Sequence, residues 1–299
     1  MTNPLEYIRQ HPKLAKQLIG LNLPELESLI KQAIALDEQR KKELEKRKVH
    51  LNKKGAGRSR KLLAEVEIYL TLFYLRHMPI FEVLAMTFEV CRATANNIFH
   101  YWLSILRNLL PCSLLEEWQN SINNDEFVQQ LLTSHELLVD SAEQPRERPS
   151  DYQEQKKFFS GKKQRHTFKN QFASLPKGRD IVDVIVGERG PEADVNLLRE
   201  QQANFSDEQS FTGDKAYIGA DRTKTPQKKP PKRELTPEQK ESNRLISQER
   251  IYIEHLIRLV KIFRVAGERF RLNSRTYQQV MLVICGLVRL RIGAFQFSF

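Results

Sequence analysis

The spacing of apolar positions changes character once along the chain. Up to about residue 130 they recur at helical intervals, and beyond it they gather into short, strand-like blocks. In "LPELESLIKQAIALDEQRKKELEKRKVHL", Leu26, Leu29, Ile30 and Ile34 share one helical face before the pattern dissolves into charge. Ten basic residues stand against two acids between Lys41 and Lys61. This predicts a basic helix end followed by a flexible linker, "KKGAGRSRK", and sets a helical N-terminal region, 1–57, apart from the rest of the chain.

Three helical stretches fill 58–130. In "PIFEVLAMTFEVCRATANNIFHYW", Pro79 opens a helix that turns Val83, Leu84 and Ala85 inward, a turn falls near 87–89, and a second helix starts near Arg92. Thr94, Asn96 and Asn97 lie on one side of that second helix, with Ala95, Ile98 and Phe99 available for packing. Short polar side chains beside an arginine suit base edges and phosphates. The segment therefore predicts a helix-turn-helix with Arg92, Thr94, Asn96 and Asn97 as candidate DNA contacts, although any tight helical hairpin gives a similar pattern.

From 131 to 299 the blocks read strand (136–140), strand (164–175), strand (179–188), helix opened by Pro191, strand end (211–214) and long helix (237–265), with "YQQVMLVICGLVRLRIG" as a closing core helix. That order builds a ribonuclease-H-like domain, a mixed sheet flanked by helices. The fold expected is thus α+β or α/β, with a helix-turn-helix region ahead of the catalytic domain.

Charge narrows the partners. The 299 residues include 48 Lys and Arg against 37 acids, a net charge of +11, which attracts a polyanion, DNA or RNA first. The longest apolar run, Val280 to Val288, is closed by Arg289 and Arg291 and is too short to span a bilayer. The N-terminus lacks the apolar core of a signal peptide, so a cytoplasmic, nucleoid-associated protein is expected. Cys91, Cys112 and Cys285 show no metal-ligand spacing.

A ribonuclease-H-like domain places one carboxylate at the end of its first strand, a second at the end of its fourth and a third on the following helix. Asp140, Asp214 and Glu254 fall in those places, and divalent ions need such converging hard oxygens. "LLVDSAEQPRERP", "GDKAYIGA" and "RIYIEHLIRLVKIFRV" carry the three acids. The last puts Arg250, Glu254, Arg258 and Lys261 in a polar stripe on one face of a segment otherwise apolar through residues such as Ile251 and Ile253. Simple salt bridges along a helix give the same stripe.

Together the three stretches resemble the motifs of the DDE transposases of bacterial insertion sequences, in the insertion-sequence-five and Harbinger-like branch. The likeness covers most of the chain. One departure is Ser247, which stands where the fuller signature has a Tyr three positions before the Arg. It weakens the choice of branch more than the assignment of Glu254.

The resemblance implies two magnesium or manganese ions on Asp140, Asp214 and Glu254, one activating water against a phosphodiester at a transposon end and one stabilising the leaving oxygen. The freed 3′-hydroxyl then attacks target DNA. It also implies double-stranded DNA as partner and at least a dimer when two ends are synapsed, with no membrane. Lys261 is implied to touch DNA near the cleaved end, and Lys162, Lys163, Arg165, Lys169, Lys215, Arg250 and Arg258 are further candidates for DNA contact. Glu143 is expected to support the site, Asp194 to cap or position, and Asp180 and Asp183 to face solvent. A DNA-binding protein that does not cut, and a structure-specific nuclease of the same fold, are the alternatives.

Overall fold

The computed structural model describes residues 4–47, 60–120, 128, 130, 132–231 and 233–297. Most of the linker, with Lys48, Lys53, Lys54 and Arg58, lies outside them, as does Lys232. Contacts divide the chain into two units, Met1–Leu110 with Phe263–Val265 and Phe295–Phe299, and Pro111–Ile262 with Ala266–Ala294.

The first unit is helical: α1 (Pro4–Gln10), α2 (Pro12–Leu18), α3 (Leu23–Arg47), α4 (Ala64–His77), α5 (Phe81–Thr87) and α6 (Arg92–Leu109). Asn22 and Glu25 cap α3 reciprocally, each side chain accepting from the other's backbone N–H at 2.9 and 2.8 Å. Helix α4 stops at Met78, which turns left-handed at φ 48. The α5–turn–α6 pair is pinned to α4 by Tyr74, whose ring lies 4.8 Å from Phe81 and 4.5 Å from Phe99. Buried Trp102 donates to Glu67 at 2.9 Å, and Arg60 bonds the same carboxylate oxygen at 3.0 Å. Val83, expected inward, is 42% exposed while Leu84 is fully covered. A helix of two turns buries one narrow stripe, and the neighbouring position lies 100° around it.

The second unit begins with α7 (Leu114–Asn120), which packs on the sheet rather than with the helix-turn-helix segment with which the sequence pattern groups it. The sheet comprises β1 (Leu137–Pro145), β2 (Phe159–Ser160), β3 (Arg165–Ser174), β4 (Ile181–Arg189), β5 (Phe211–Thr212) and β6 (Thr223–Lys224). Its order is β4-β3-β1-β5-β6, with β2 on the first residues of β3; β1, β3 and β4 run antiparallel, and β5 and β6 are parallel to β1. The longer helices are α8 (Tyr152–Phe158), α9 (Asp194–Gln202), α10 (Pro237–Lys261) and α11 (Tyr277–Arg291). This is the mixed, helix-flanked sheet expected.

Alternation along β1 sorts its side chains between two cores. Leu137 and Val139 join Ala173, Val182, Leu198 and Phe211 on the side of α7 and α9. The even positions Ala142 and Gln144 line a small space with Phe172, Ile257, Val260 and Met281 from β3, α10 and α11. Burial on both faces explains why "LLV" reads as an unbroken apolar run.

Three expectations change here. Strand β1 does not end at Asp140 but continues to Pro145, because its pairing with β3 outlasts its pairing with β5. Strand β6 forms inside a stretch that reads as a Pro- and Lys-rich loop. Asp180 is buried rather than solvent-facing: Arg289 of α11, fully covered, donates to it at 2.7 and 2.8 Å and to Glu117 at 2.6 Å. Asp183 is largely covered too, and burial pushes its carboxyl up although Asn204 donates to it. Among the described residues, no helix is long and apolar enough to cross a membrane.

Candidate active site

Parallel pairing of β1 with β5 sets Leu137 opposite Phe211 and Leu138 opposite Thr212. Two residues further along each chain stand Asp140, still on β1, and Asp214, just beyond the end of β5 and near enough for its charge to act on Asp140. Asp140 shares the parity of Leu138 and faces α10, where Arg250 reaches it. Gly213 makes the approach of β5 to β1 possible: a Cβ there would lie 2.5 Å from the Tyr217 ring and 3.0 Å from Val139 Cγ2. Asp214 is fixed as the cap of the turn at 215–217, accepting from Ala216 N–H at 2.7 Å.

Helix α10 starts from a capping box of Thr236 and Gln239 with Pro237 in the first turn, and it buries Ile253, Leu256, Ile257 and Val260. Glu254 is left half-exposed beside β1. Arg250, one turn earlier, has Nη2 3.9 Å from Asp140 Oδ2 and 3.5 Å from Glu254 Oε1, so one guanidinium links two of the three acids. Its Nε is buried without a hydrogen-bond partner. Ile251 and Tyr252, on the same turn, are 44% and 42% exposed, so the stripe is flanked by apolar surface on one side rather than by core on both.

The acids act on one another. Burial first of all pushes the Asp140 carboxyl up to about 6; the Asp214 and Glu254 charges add to the rise, while Arg250 and the Ser141 N–H oppose it. Tyr217, packed beneath the strand tips, has its phenol raised well above its ordinary value by burial, then by the charges of Asp140, Asp194 and Asp214. Lys261 is lowered by partial desolvation and drawn back up by Asp140.

An all-carboxylate donor set suits a hard divalent cation and offers no soft ligand. Among the described residues, no three His, Cys, Asp or Glu side chains are gathered closely enough to hold an ion as they stand, and Arg250 reaches between Asp140 and Glu254. The donor chemistry fits such an ion, and the side-chain placement is that of a charge-compensated, open site.

Of the supporting residues, Lys169 departs from expectation and Asp194 takes a positioning contact rather than a cap. Asp194 does not cap α9, whose cap residue is Ala193; it accepts from Ser141 Oγ at 2.6 Å and from Lys169 Nζ at 2.9 Å, bracing the residue next to Asp140. Lys169, expected at the DNA surface, is buried in that network. Glu143 accepts from Thr167 Oγ1 at 2.7 Å. Gly213, Ser141 and Tyr217 were legible only as parts of motifs, because their work depends on strands distant in sequence. Lys162, Lys163, Arg165, Lys215, Arg258 and Lys261 are all exposed in the second unit. In the first unit Arg92 and Asn97 are exposed, Arg92 pairs with Glu82 at 2.9 Å, Asn96 is half-buried, and Thr94 Oγ1 lies 3.1 Å from Cys91 Sγ.

Residues 139–289, which hold all three acids, match the family described as DDE superfamily endonuclease. The chain belongs to that superfamily. Residues 60–112 match the helix-turn-helix of the same superfamily, which contains α4 to α6. A probable transposase for insertion sequence element IS702 from Microchaete diplosiphon is 30% identical over 244 residues, 79% of this chain and 83% of the relative. The Mos1 transposase paired-end complex with left transposon end aligns over 85% of this chain and 83% of its own at 10% identity, with a TM-score of only 0.25. The enzyme class is therefore that of a DDE transposase.

Proposed function

We propose that the protein binds the terminal inverted repeats of a transposon, hydrolyses the phosphodiester at each end and joins the freed 3′ end to target DNA. The observation that carries this reading is that Asp140 and Asp214 follow the parallel pairing of β1 with β5 and feel each other's charge, with Arg250 joining Asp140 to Glu254. Asp140, Asp214 and Glu254 are the residues to hold magnesium or manganese, two ions per site. When bound, such ions supply Lewis-acid activation of the attacking water and neutralise charge at the leaving oxygen.

The chain's own residues do the rest. Arg250 offsets the carboxylate charge until ions arrive and then has its guanidinium free for a phosphate oxygen. Lys261, beside Asp140, takes a phosphate of the cleaved strand, and Arg258 and Lys215 extend the contact. Arg92, Thr94, Asn96 and Asn97 of α6 read the repeat, with release of Arg92 from Glu82. Helical DNA-binding segments up to Leu110 and a catalytic domain that begins at Pro111 divide the labour, and pairing two ends requires at least a dimer. The protein works in the cytoplasm on the nucleoid. The insertion-sequence-five and Harbinger-like branch rests on the three motifs alone.

The test is substrate preference. Purified protein is given its element's end DNA, an unrelated duplex and a branched duplex, each with magnesium. The reading expects cleavage at the end DNA and strand-transfer products joined to the unrelated duplex. Cleavage of branched DNA alone, without end preference or strand transfer, would identify a structure-specific nuclease instead.

A further inference from the structure

Away from the three acids, the second unit carries a cleft of about 620 Å³ whose charged lining is Arg146, Arg148, Arg165, Glu268 and Arg269, beside His166. Four guanidinium groups thus face one carboxylate in a concavity, where like charges reinforce one another's field. The walls are not loose loops. Arg146 N–H donates to the His166 carbonyl at 3.0 Å, Phe270 N–H to the Pro145 carbonyl at 2.8 Å, and Gln144 Nε2 to the Glu268 carbonyl at 2.8 Å. The Arg146 guanidinium is clamped over Phe158 and Phe168, 4.1 and 4.3 Å from the ring centres.

Arg148, Arg165 and Arg269 are exposed at the rim. Arg148 donates through Nε to Gln155 at 2.9 Å, Arg165 through Nε to the Lys163 carbonyl at 3.3 Å, and Arg269 lies 3.9 Å from Glu147. The His166 ring is held below its usual value by desolvation and then by Arg148 and Arg146, a sign that the cleft resists further positive charge. Such a concavity is complementary to phosphodiester oxygens.

Its position relative to the acids is fixed by β1. Pro145 lies five residues beyond Asp140 on the same strand, about 17 Å at ~3.4 Å per residue. Lys261 stands between them, alongside Ala142, Glu143 and Gln144, and it feels the charge of Lys163 in the β2–β3 turn. Basic groups therefore run from the acids to the cleft. At about 3.4 Å per base pair the span corresponds to roughly five base pairs.

We propose that this cleft is a second DNA-backbone site of the catalytic domain, in which Arg148, Arg165 and Arg269 hold phosphates about five base pairs from the scissile bond. Arg146 forms its fixed floor. The inference rests on the transposase reading and adds to it where DNA runs after leaving the acids. The DNA held there is either the transposon-end duplex or the target duplex, both presenting the same phosphodiester chemistry.

The experiment uses the full chain and the R148E/R269E variant, whose changes lie outside the acids and the helix-turn-helix. Binding is monitored by fluorescence anisotropy across a salt series without divalent ion. The duplexes are end DNA stopping two base pairs from the scissile bond, end DNA extended ten base pairs on either side, and an unrelated target duplex. The expected result is unchanged affinity and salt slope on the short duplex, with the slope reduced by about 2 on a duplex that reaches the cleft. The R148K/R269K variant should restore it.

Loss confined to extended end DNA assigns the cleft to the transposon, and loss confined to the unrelated duplex assigns it to the target; either supports the proposal. No change on any long duplex, or an equal loss on the short one, overturns it. If wild type shows no preference for end over unrelated DNA, the transposase reading fails, and the length dependence still decides the cleft.

Discussion

At the scale of single residues, Asp140 is held against its own charge. It is largely buried, with Asp214 and Glu254 as like-charged neighbours, and Arg250 at 3.9 Å compensates only in part. Its carboxyl titrates at about 6, above the ordinary 3.8. A raised carboxyl stabilises the fold fully below the lower value and loses that contribution as pH rises through the higher one. Ionised Asp140 thus costs the metal-free protein on the order of 2 kcal/mol near pH 8, partial exposure considered. In metal-free buffer, Asp140→Asn should melt roughly 5 °C higher than wild type at pH 8 and no higher at pH 4. Magnesium should raise the wild-type melting temperature and leave that of Asp140→Asn nearly unmoved. Calorimetry in which the variant melts lower at both pH values would mean that Asp140 is a structural residue.

At the scale of elements, the site depends on how closely the tip of β5 approaches β1. Gly213 is where a side chain would intrude, within 2.5 Å of Tyr217 and 3.0 Å of Val139. Gly213→Ala should destabilise the fold by about 1–3 kcal/mol, since neither neighbour is free to retreat from a packed core. It should also displace Asp214, so that end cleavage falls by more than tenfold while end binding, proposed for α6, is kept. Denaturation and gel-shift measurements separate the two effects, and unchanged cleavage would show that the tip tolerates a wider spacing.

Much of this level was legible in the chain. Partial alternation and β-branched residues marked β3 and β4 nearly to the residue, and the long helix expected over 237–265 starts at Pro237 as α10 but ends at Lys261. Other parts depended on contacts that no local pattern encodes. Asp180 reads as a polar strand flank, and only the docking of Arg289, more than a hundred residues away, explains its burial. Strand β6 has two residues, Thr223 and Lys224, too few to carry a periodicity, and exists because β5 offers it an edge. Among the acids, Asp140, Asp214 and Glu254 could be proposed from the sequence because each lies in a contiguous motif. The bracing of Ser141 by Asp194 and Lys169 was not, because it crosses three elements.

At the scale of the whole molecule, a net charge of +11 does not act as a uniform coat. In the second unit it is organised around a local concentration of carboxylates, with Lys261, Lys163 and the arginine cleft leading away from them. In the first unit the polar face of α6 offers short side chains suited to base edges. Steering by the positive field accelerates encounter with any DNA, and the proposed chemistry falls to the three acids, whose hard oxygens suit divalent ions. The measurement that tests this most directly is single-turnover cleavage of end DNA in magnesium by wild type, Asp140→Asn, Asp214→Asn and Glu254→Gln, with end binding measured in parallel. The account predicts that each variant binds the end as wild type does and cleaves at least roughly a thousandfold more slowly, about 4 kcal/mol of lost transition-state stabilisation. Cleavage by any of the three at the wild-type rate would contradict it.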